Sequence, residues 1–305
     1  MSEFSLEVLN LTKKFGKLTA LSHVNFTVNK GEVFGYIGPN GAGKTTTIRV
    51  LLGILKATEG GAKVFGMDAW RDAVLIHKKI AYVPGDVNLW PNLTGGEVVD
   101  LFAGLRGTCD KDLRARLIND FELDPTKKCR TYSKGNRQKV ALIAAFASDA
   151  DLYILDEPTS GLDPLMEQVF QAYVLGIKSR GKGVFLSSHI MSEVERLCDR
   201  VGIIRNGELV QVGTLDQLRH LTRYAMTVTT ERPLEGLENL RGVYNVHQEQ
   251  YGLCFHVDVD EMGTVVDYIN RFGIKKIDSS PPTLEELFMQ HYVETGHNST
   301  NEDAK

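Results

Sequence analysis

The chain has 305 residues, 42% of them hydrophobic, and a formal net charge of −4. This composition predicts a soluble globular protein that can hold one large and one small domain, and the acidic balance argues against a nucleic-acid partner. Apolar runs shorter than about 18 residues exclude a membrane helix, and an N-terminus without the features of a signal peptide predicts a cytoplasmic location.

Short β-like segments open the chain, at residues 6–11, 23–28 and 33–37. Turn residues such as those at 29–31 join them. We therefore expect an antiparallel β layer ahead of the main core.

A glycine-rich loop follows the segment at 33–37 and precedes an apolar helical stretch at 48–55. It matches G-x-x-x-x-G-K-[ST] and comprises Gly38, Pro39, Asn40, Gly41, Ala42, Gly43, Lys44, Thr45 and Thr46. Glycines with positive φ let successive backbone N–H groups point into one concavity at a helix N-terminus, which suits a polyphosphate. Lys44 would reach the β- and γ-phosphates, and the Thr45 hydroxyl would ligate Mg²⁺. The alternative is a plain glycine turn, which the flanking strand and helix disfavour.

From Lys44 onward, helical and strand patterns alternate. Apolar runs at 80–83, 152–155 and 184–187 predict strands that are buried on both faces. This alternation indicates an α/β fold with a parallel, doubly wound sheet. Between about residues 86 and 148, helical periodicity at 97–105, 111–121 and 136–147 predicts a helical insert beside the sheet. The dipeptide Asn206-Gly207 predicts a hairpin at one sheet edge.

The character of the sequence changes near residue 221, and we predict a main domain over 4–221. Alternating patterns at 225–229 and 253–259, followed by a helical stretch at 262–272, predict a small α+β domain over 222–293. Residues 294–305 are polar, and we expect a disordered tail.

Two acids follow the apolar run at 152–155, Asp156 and Glu157. At the carboxyl end of a strand in an open α/β sheet, such acids face the ligand crevice. Asp156 suits Mg²⁺, directly or through water, and Glu157 is placed to polarise a water for attack on the γ-phosphate. The alternative is that the acids cap the next helix.

Two further segments can be interpreted together with the phosphate loop and the acidic strand end. The segment Ser133, Lys134, Gly135 and Asn136 can cap a helix and approach an anion. Together with the phosphate loop and the acidic strand end, it resembles the ATP-binding cassette (ABC) ATPases, the nucleotide-hydrolysing subunits of membrane transporters. The resemblance covers residues 4–221 and makes this segment the signature sequence, which contacts the ATP of a partner subunit. It also makes a dimer-contact loop of Ser160, Gly161, Leu162 and Asp163.

The same resemblance assigns two single residues. His189 is similar to the switch histidine that hydrogen-bonds the γ-phosphate, and Phe15 to the aromatic that stacks on adenine. Without the resemblance, His189 would be a surface or core histidine, and Phe15 would be a core side chain.

Two positions depart from the family pattern. Gly85 stands where the family usually carries a glutamine that touches Mg²⁺, so water, Asp86 or backbone movement would have to replace it. Lys134 stands at a glycine-type position of the signature, where it can attract phosphate or point into solvent.

The sequence thus predicts an ATPase that binds ATP and Mg²⁺ at the interface of a homodimer or heterodimer and drives separate membrane permease subunits at the inner face of the cell membrane. Residues 282–288 resemble the ending of ABC-2 type drug and antibiotic exporters, which favours export. Three alternatives stay open: a soluble ABC-type ATPase, a regulatory cassette that binds ATP without hydrolysis, and a phosphate-loop kinase for a small metabolite.

Overall fold

The computed structural model describes residues 4–106, 110–220, 223–249 and 252–280. The contacts divide the chain into two units between Val212 and Gly213. The domain limits predicted from the sequence, at residues 221 and 293, stay a prediction. The exporter-like ending at 282–288 and the tail at 294–305 lie outside the described residues.

The first unit contains ten strands and seven α-helices among its described residues, and its last strand ends two residues beyond Val212. The strands are β1 (Phe4–Phe15), β2 (Leu18–Asn29), β3 (Val33–Ile37), β4 (Glu59–Val64), β5 (Met67–Asp68), β6 (Ile80–Val83), β7 (Leu152–Asp156), β8 (Gly183–Ser188), β9 (Arg200–Arg205) and β10 (Glu208–Thr214). The helices are α1 (Lys44–Leu51), α2 (Ala73–His77), α3 (Gly95–Arg106), α4 (Lys111–Asp120), α5 (Lys134–Phe146), α6 (Pro164–Ser179) and α7 (Met191–Leu197).

A six-stranded sheet forms the centre of this unit, in the order β10-β9-β3-β8-β7-β6. The pairs β9/β3, β3/β8, β8/β7 and β7/β6 are parallel, and every residue of β3, β7 and β8 is buried. Burial on both faces explains the continuous apolar runs of these strands. The structure confirms the predicted α/β core, the helical insert formed by α3, α4 and α5, and the hairpin strand β10 at one edge.

The second sheet is antiparallel, in the order β2-β1-β4-β5. The predicted N-terminal antiparallel layer is confirmed by β1 and β2, and it also includes β4 and β5, which follow α1 in the chain, whereas residues 33–37 belong to the parallel sheet. The sequence of β4, Glu-Gly-Gly-Ala-Lys-Val, reads as a turn because glycine is depleted in strands. Pairing with β1 makes it a strand nonetheless.

Aromatic rings join the two sheets. Phe26 of β2 packs on Phe34 and Tyr36 of β3 and on Phe185 of β8, with ring centroids 5.3–5.8 Å apart. The Tyr36 hydroxyl lies 3.2 Å from Thr47 Oγ1 on α1. Such ring pairs contribute about 0.5–1.5 kcal/mol each beyond their buried area. They therefore hold β3 and α1, and with them the intervening loop, in a fixed position.

The second unit contains α8 (Leu215–His220), β11 (Tyr224–Thr230), β12 (Val243–Glu249), β13 (Gly252–Val257), α9 (Met262–Asn270) and β14 (Ile274–Ser280). Its antiparallel sheet has the order β12-β13-β11-β14, and α9 contributes Val265 and Ile269 to its core. This is the predicted α+β arrangement. The sequence did not indicate β12 and β14, because they are edge strands with mostly exposed side chains and little alternation.

Candidate nucleotide site

The glycine-rich loop connects β3 to α1. Gly41 and Gly43 adopt positive φ values of 81° and 112°, which other residues rarely adopt. A Cβ at Gly38 would collide with the carbonyl oxygen of Ile204 on β9. The loop therefore needs glycine for backbone conformation at two positions and for close approach at a third. The helix α1 begins at Lys44, so free N–H groups face the loop.

A cleft of about 420 Å³ lies over this loop. Its lining includes Glu157 and most of the loop, together with residues that the sequence analysis missed: Leu18, Thr19, Ala20, Asn206 and Gly207. The Gly207 N–H donates to the Ala42 carbonyl at 2.9 Å, and the Gly207 carbonyl accepts from the Ser22 N–H at 2.8 Å. The hairpin turn is thus part of the cleft wall. Its Asn-Gly signal was recognised, but only as a turn.

Lys44 points back over its own loop. The side chain is 5% exposed, and Nζ donates to the carbonyls of Gly38 at 2.7 Å and Pro39 at 3.2 Å. Nζ also lies 3.3 Å from Glu157 Oε1. A buried ammonium with three acceptors around it is aimed at the concavity where phosphate oxygens would bind.

Asp156, the last residue of β7, is brought to the start of α1. Its carboxylate accepts from Thr45 Oγ1 at 3.1 Å and from Ser187 Oγ at 2.5 Å. Burial raises the pKa of Asp156 above its usual range, and the hydroxyls of Ser187 and Thr45 oppose this. The structure therefore brings together the two residues that the sequence assigned to Mg²⁺.

Glu157 lies between Lys44 of the phosphate loop and His189, the residue predicted to be the switch histidine. One carboxylate oxygen faces Lys44, and the other lies 3.4 Å from His189 Nδ1. Its backbone has φ 47°, an uncommon and costly conformation for a residue with a side chain. The N–H of Glu157 donates to the Ser187 carbonyl at 3.0 Å, which holds this conformation. Since β3, β8 and β7 are parallel neighbours, the segments that follow them meet at one edge.

Gly85 also borders this edge. A Cβ built there would lie 3.3 Å from the Asp156 carbonyl oxygen and 3.7 Å from its carboxylate. Asp86 is exposed, and its carboxylate accepts a hydrogen bond from Asn88 at 3.4 Å. Tyr82, which the sequence analysis missed, has its pKa raised to about 12 by burial and by the nearby Asp156 carboxylate, while Arg49 opposes the shift.

The signature segment packs on the dimer-contact loop within the same chain. Ser133 caps α5 by accepting from the Asn136 N–H at 3.2 Å, and Lys134 Nζ donates to Ser160 Oγ at 2.8 Å. A Cβ at Gly135 would collide with the Gly161 carbonyl oxygen. The two loops therefore form one surface.

Two more predicted residues have defined positions. Asp163 caps α6 by accepting from the N–H groups of Leu165 and Met166 at 3.1 and 3.0 Å. Phe15 lies at the end of β1, 46% exposed, with Lys13 Nζ 5.0 Å from the ring centroid. The alternative of plain core packing for Phe15 was therefore wrong.

A phosphate loop between β3 and α1, with an acidic strand end beside it, defines a P-loop nucleotide-binding protein. The ABC transporter family model matches residues 21–160. An uncharacterized ABC transporter ATP-binding protein of Alkalihalophilus pseudofirmus is 33% identical over 273 residues, which cover 83% of this chain and 97% of that protein. The chain belongs to the family of ABC transporter ATP-binding proteins.

Other relatives extend the comparison. The probable multidrug ABC transporter ATP-binding protein YbhF of Escherichia coli is 36% identical over 76% of this chain, which spans only 40% of the length of YbhF. A solved ATP-binding subunit of an ABC transporter is 34% identical, with a TM-score of 0.66, over 71% of this chain and 92% of that one. The ATP-binding cassette MJ0796, solved as a dimer in a post-hydrolysis state with ADP and Pi, is 25% identical, with a TM-score of 0.63, over 69% and 98%.

Across the described parts of the chain, every helix is too short or too polar to cross a membrane.

Proposed function

We propose that this chain binds ATP with Mg²⁺, hydrolyses the ATP between two ATPase subunits, and drives separate membrane subunits that export a substrate. The observation that carries the proposal is the position of Glu157. Its carboxylate lies between the ammonium of Lys44 and the imidazole of His189, at 3.3 and 3.4 Å, beside the cleft over the phosphate loop. A base, a cation and a hydrogen-bonding imidazole at one point are what hydrolysis of a γ-phosphate requires.

The oxygen donors suit Mg²⁺. Thr45 donates its hydroxyl hydrogen to Asp156, so a lone pair of Oγ1 stays available for a hard cation, and the buried carboxylate lies directly behind it. When bound, the cation would neutralise phosphate charge. Water or Asp86 would have to supply the ligand that Gly85 cannot provide.

Four side chains of the site have separate roles in ATP binding and hydrolysis. Lys44 exchanges its hydrogen bonds to the Gly38 and Pro39 carbonyls for phosphate oxygens. Glu157 accepts a proton from the attacking water, and His189 donates a hydrogen bond to the γ-phosphate. Phe15, exposed at the end of β1, offers a ring face to adenine.

A dimer is supported by the surface that the signature and dimer-contact loops form together. Ser133, Gly135 and the α5 N-terminus would contact the ATP held by the partner's phosphate loop, as the resemblance implies. Lys134 donates to Ser160, so it supports the dimer-contact loop. The MJ0796 cassette is a dimer in a post-hydrolysis state, which favours the same arrangement here.

The relatives support the proposed export role and membrane location. YbhF carries the name of a probable multidrug transporter protein, and this favours an efflux role. The chain would then lie at the inner face of the cell membrane, held by its permease partners.

The test is ATP hydrolysis by the purified full chain and its Glu157→Gln variant, with the oligomeric state of each measured by size-exclusion chromatography in ATP and Mg²⁺. We expect turnover by the native chain, and a loss of at least about 100-fold with a stable ATP-bound dimer in the variant, because only the base is removed. Glu59→Gln, which changes an exposed carboxylate on β4, is the matched control and should retain full activity.

Turnover that survives Glu157→Gln would refute the assigned base. A native chain that binds ATP but neither hydrolyses it nor dimerises would instead support the regulatory cassette.

A further inference from the structure

Glu193 is a buried acid that the proposed hydrolysis does not use. It lies in the first turn of α7 and is 4% exposed. Its Oε2 accepts from Ser188 Oγ at 2.6 Å, whereas its Oε1 has no hydrogen-bond partner. A buried carboxyl that is only half satisfied is costly, and its position therefore requires an explanation.

The first contact of Glu193 holds the chain on both sides of His189. The Ser188 hydroxyl donates to Glu193 and accepts from the Ile190 N–H at 2.9 Å. One hydroxyl thus connects the residue before His189, the residue after it, and the acid. Without Glu193, the Ser188 hydroxyl would be free to rotate and the short turn around His189 would lose its anchor.

The second neighbour of Glu193 leads to the dimer-contact loop. Thr159 is buried, and its hydroxyl is close enough to Glu193 to lower the pKa of the carboxyl. Thr159 precedes Ser160 directly, and its carbonyl accepts from the Leu162 N–H at 3.0 Å. The Glu193 carboxyl therefore adjoins both the loop that carries His189 and the dimer-contact loop.

The surroundings of Glu193 favour its neutral form. Its pKa is raised to about 7, mainly by burial and to a smaller extent by the carboxylates of Glu167 on α6 and Glu157, while the hydroxyls of Ser188 and Thr159 oppose the shift. In the protonated form, the carboxyl can also donate a hydrogen bond, which gives it a donor and an acceptor for its two hydroxyl neighbours.

We propose that Glu193 is a positioning residue that couples the loop carrying His189 to the dimer-contact loop, so that contact with the partner subunit and placement of the histidine change together. This inference rests on the proposed function. It concerns the same site, but it predicts a physical connection between two loops that can be measured without turnover.

The experiment uses the full chain with Glu193→Ala, Glu193→Gln and Ser188→Ala, and with Glu195→Gln on the same helix as the matched control. Steady-state hydrolysis gives kcat and KM, and hydrogen–deuterium exchange reports on residues 187–191 and 158–163. We expect Glu193→Ala to lower kcat about tenfold with KM within about twofold, because positioning is lost while ATP binding is kept. Exchange should become faster in both segments.

Glu193→Gln keeps the shape and the hydrogen-bonding groups, so it should restore kcat to within about threefold of the native value at pH 7. A merely structural role for Glu193 predicts instead an equal loss of kcat and ATP binding. That result, or faster exchange confined to α7, would overturn the proposal.

Two outcomes need separate readouts. If Glu193→Ala does not fold, Ser188→Ala decides: faster exchange in 158–163 supports the coupling, and unchanged exchange there overturns it. If the native chain does not hydrolyse ATP, the proposed function fails, and the exchange measurements still decide whether Glu193 couples the loops.

Discussion

Replacing Glu193 with glutamine should remove a pH dependence from the stability of the first unit. Burial raises the pKa of this carboxyl from 4.5 to about 7, so between these values the folded chain keeps a proton that the unfolded chain has released. The stability that the protonated carboxyl provides is therefore complete below pH 4.5 and is lost as the pH rises through 7. With about 1.4 kcal/mol for each pKa unit, the whole effect is about 3 kcal/mol.

Glutamine does not titrate, so its contribution to stability does not change with pH. The free energy of unfolding of the variant, minus that of the native chain, should therefore rise by about 2–3 kcal/mol from about pH 5 to about pH 8. Urea unfolding followed by tryptophan fluorescence measures this. The two tryptophans of the chain, Trp70 and Trp90, both lie in the first unit, so the signal reports on the unit that contains Glu193. Glu195→Gln is the control. Stability profiles of variant and native chain that run parallel across this range would refute the reasoning from burial.

Substitutions of Gly135 and Gly85, each with a matched control, test the packing and the metal ligands around the site. Gly135→Ala places a Cβ against the Gly161 carbonyl oxygen, so we expect urea unfolding to show a stability loss of about 1–3 kcal/mol and size-exclusion chromatography to show loss of the ATP-dependent dimer. The control Gly176→Ala, in α6 with open space around the added Cβ, should instead stabilise the chain by about 0.5–1 kcal/mol. Equal effects of the two substitutions would contradict the packing argument. Gly85→Gln places an amide beside Asp156, whose backbone must move by a few tenths of an ångström to accept the new Cβ. The Mg²⁺ concentration for half-maximal hydrolysis should therefore fall severalfold relative to Gly85→Ala. Identical Mg²⁺ titrations of the two variants would show that the amide adds no ligand.

Several elements could be predicted because their pattern is local. The strand Val33–Ile37 is an apolar run of five residues that is buried on both faces, and the glycine positions of the following loop encode its backbone. Such features depend on residues that are near neighbours in the chain. The same holds for the acidic end of β7 and for the family membership, which motif order indicated and the comparisons confirmed.

Other elements depended on partners far away in the chain. The strand β4 has a turn-like sequence and exists because β1 pairs with it. The Asn206-Gly207 turn is recognisable in the sequence, but its packing against Ala42 required the fold. In each case the decisive contact joins residues whose spacing carries no periodic signal.

By itself, the sequence determined the family, the phosphate loop and the order of the acidic, signature and histidine segments, because loop conformation and strand burial are encoded by adjacent residues. The tertiary structure alone decided that Thr45 and Asp156 share a hydrogen bond, that Glu157 lies between Lys44 and His189, and that Glu193 is buried beside Ser188. These distances arise because parallel strands from separate parts of the chain end at one edge of a sheet.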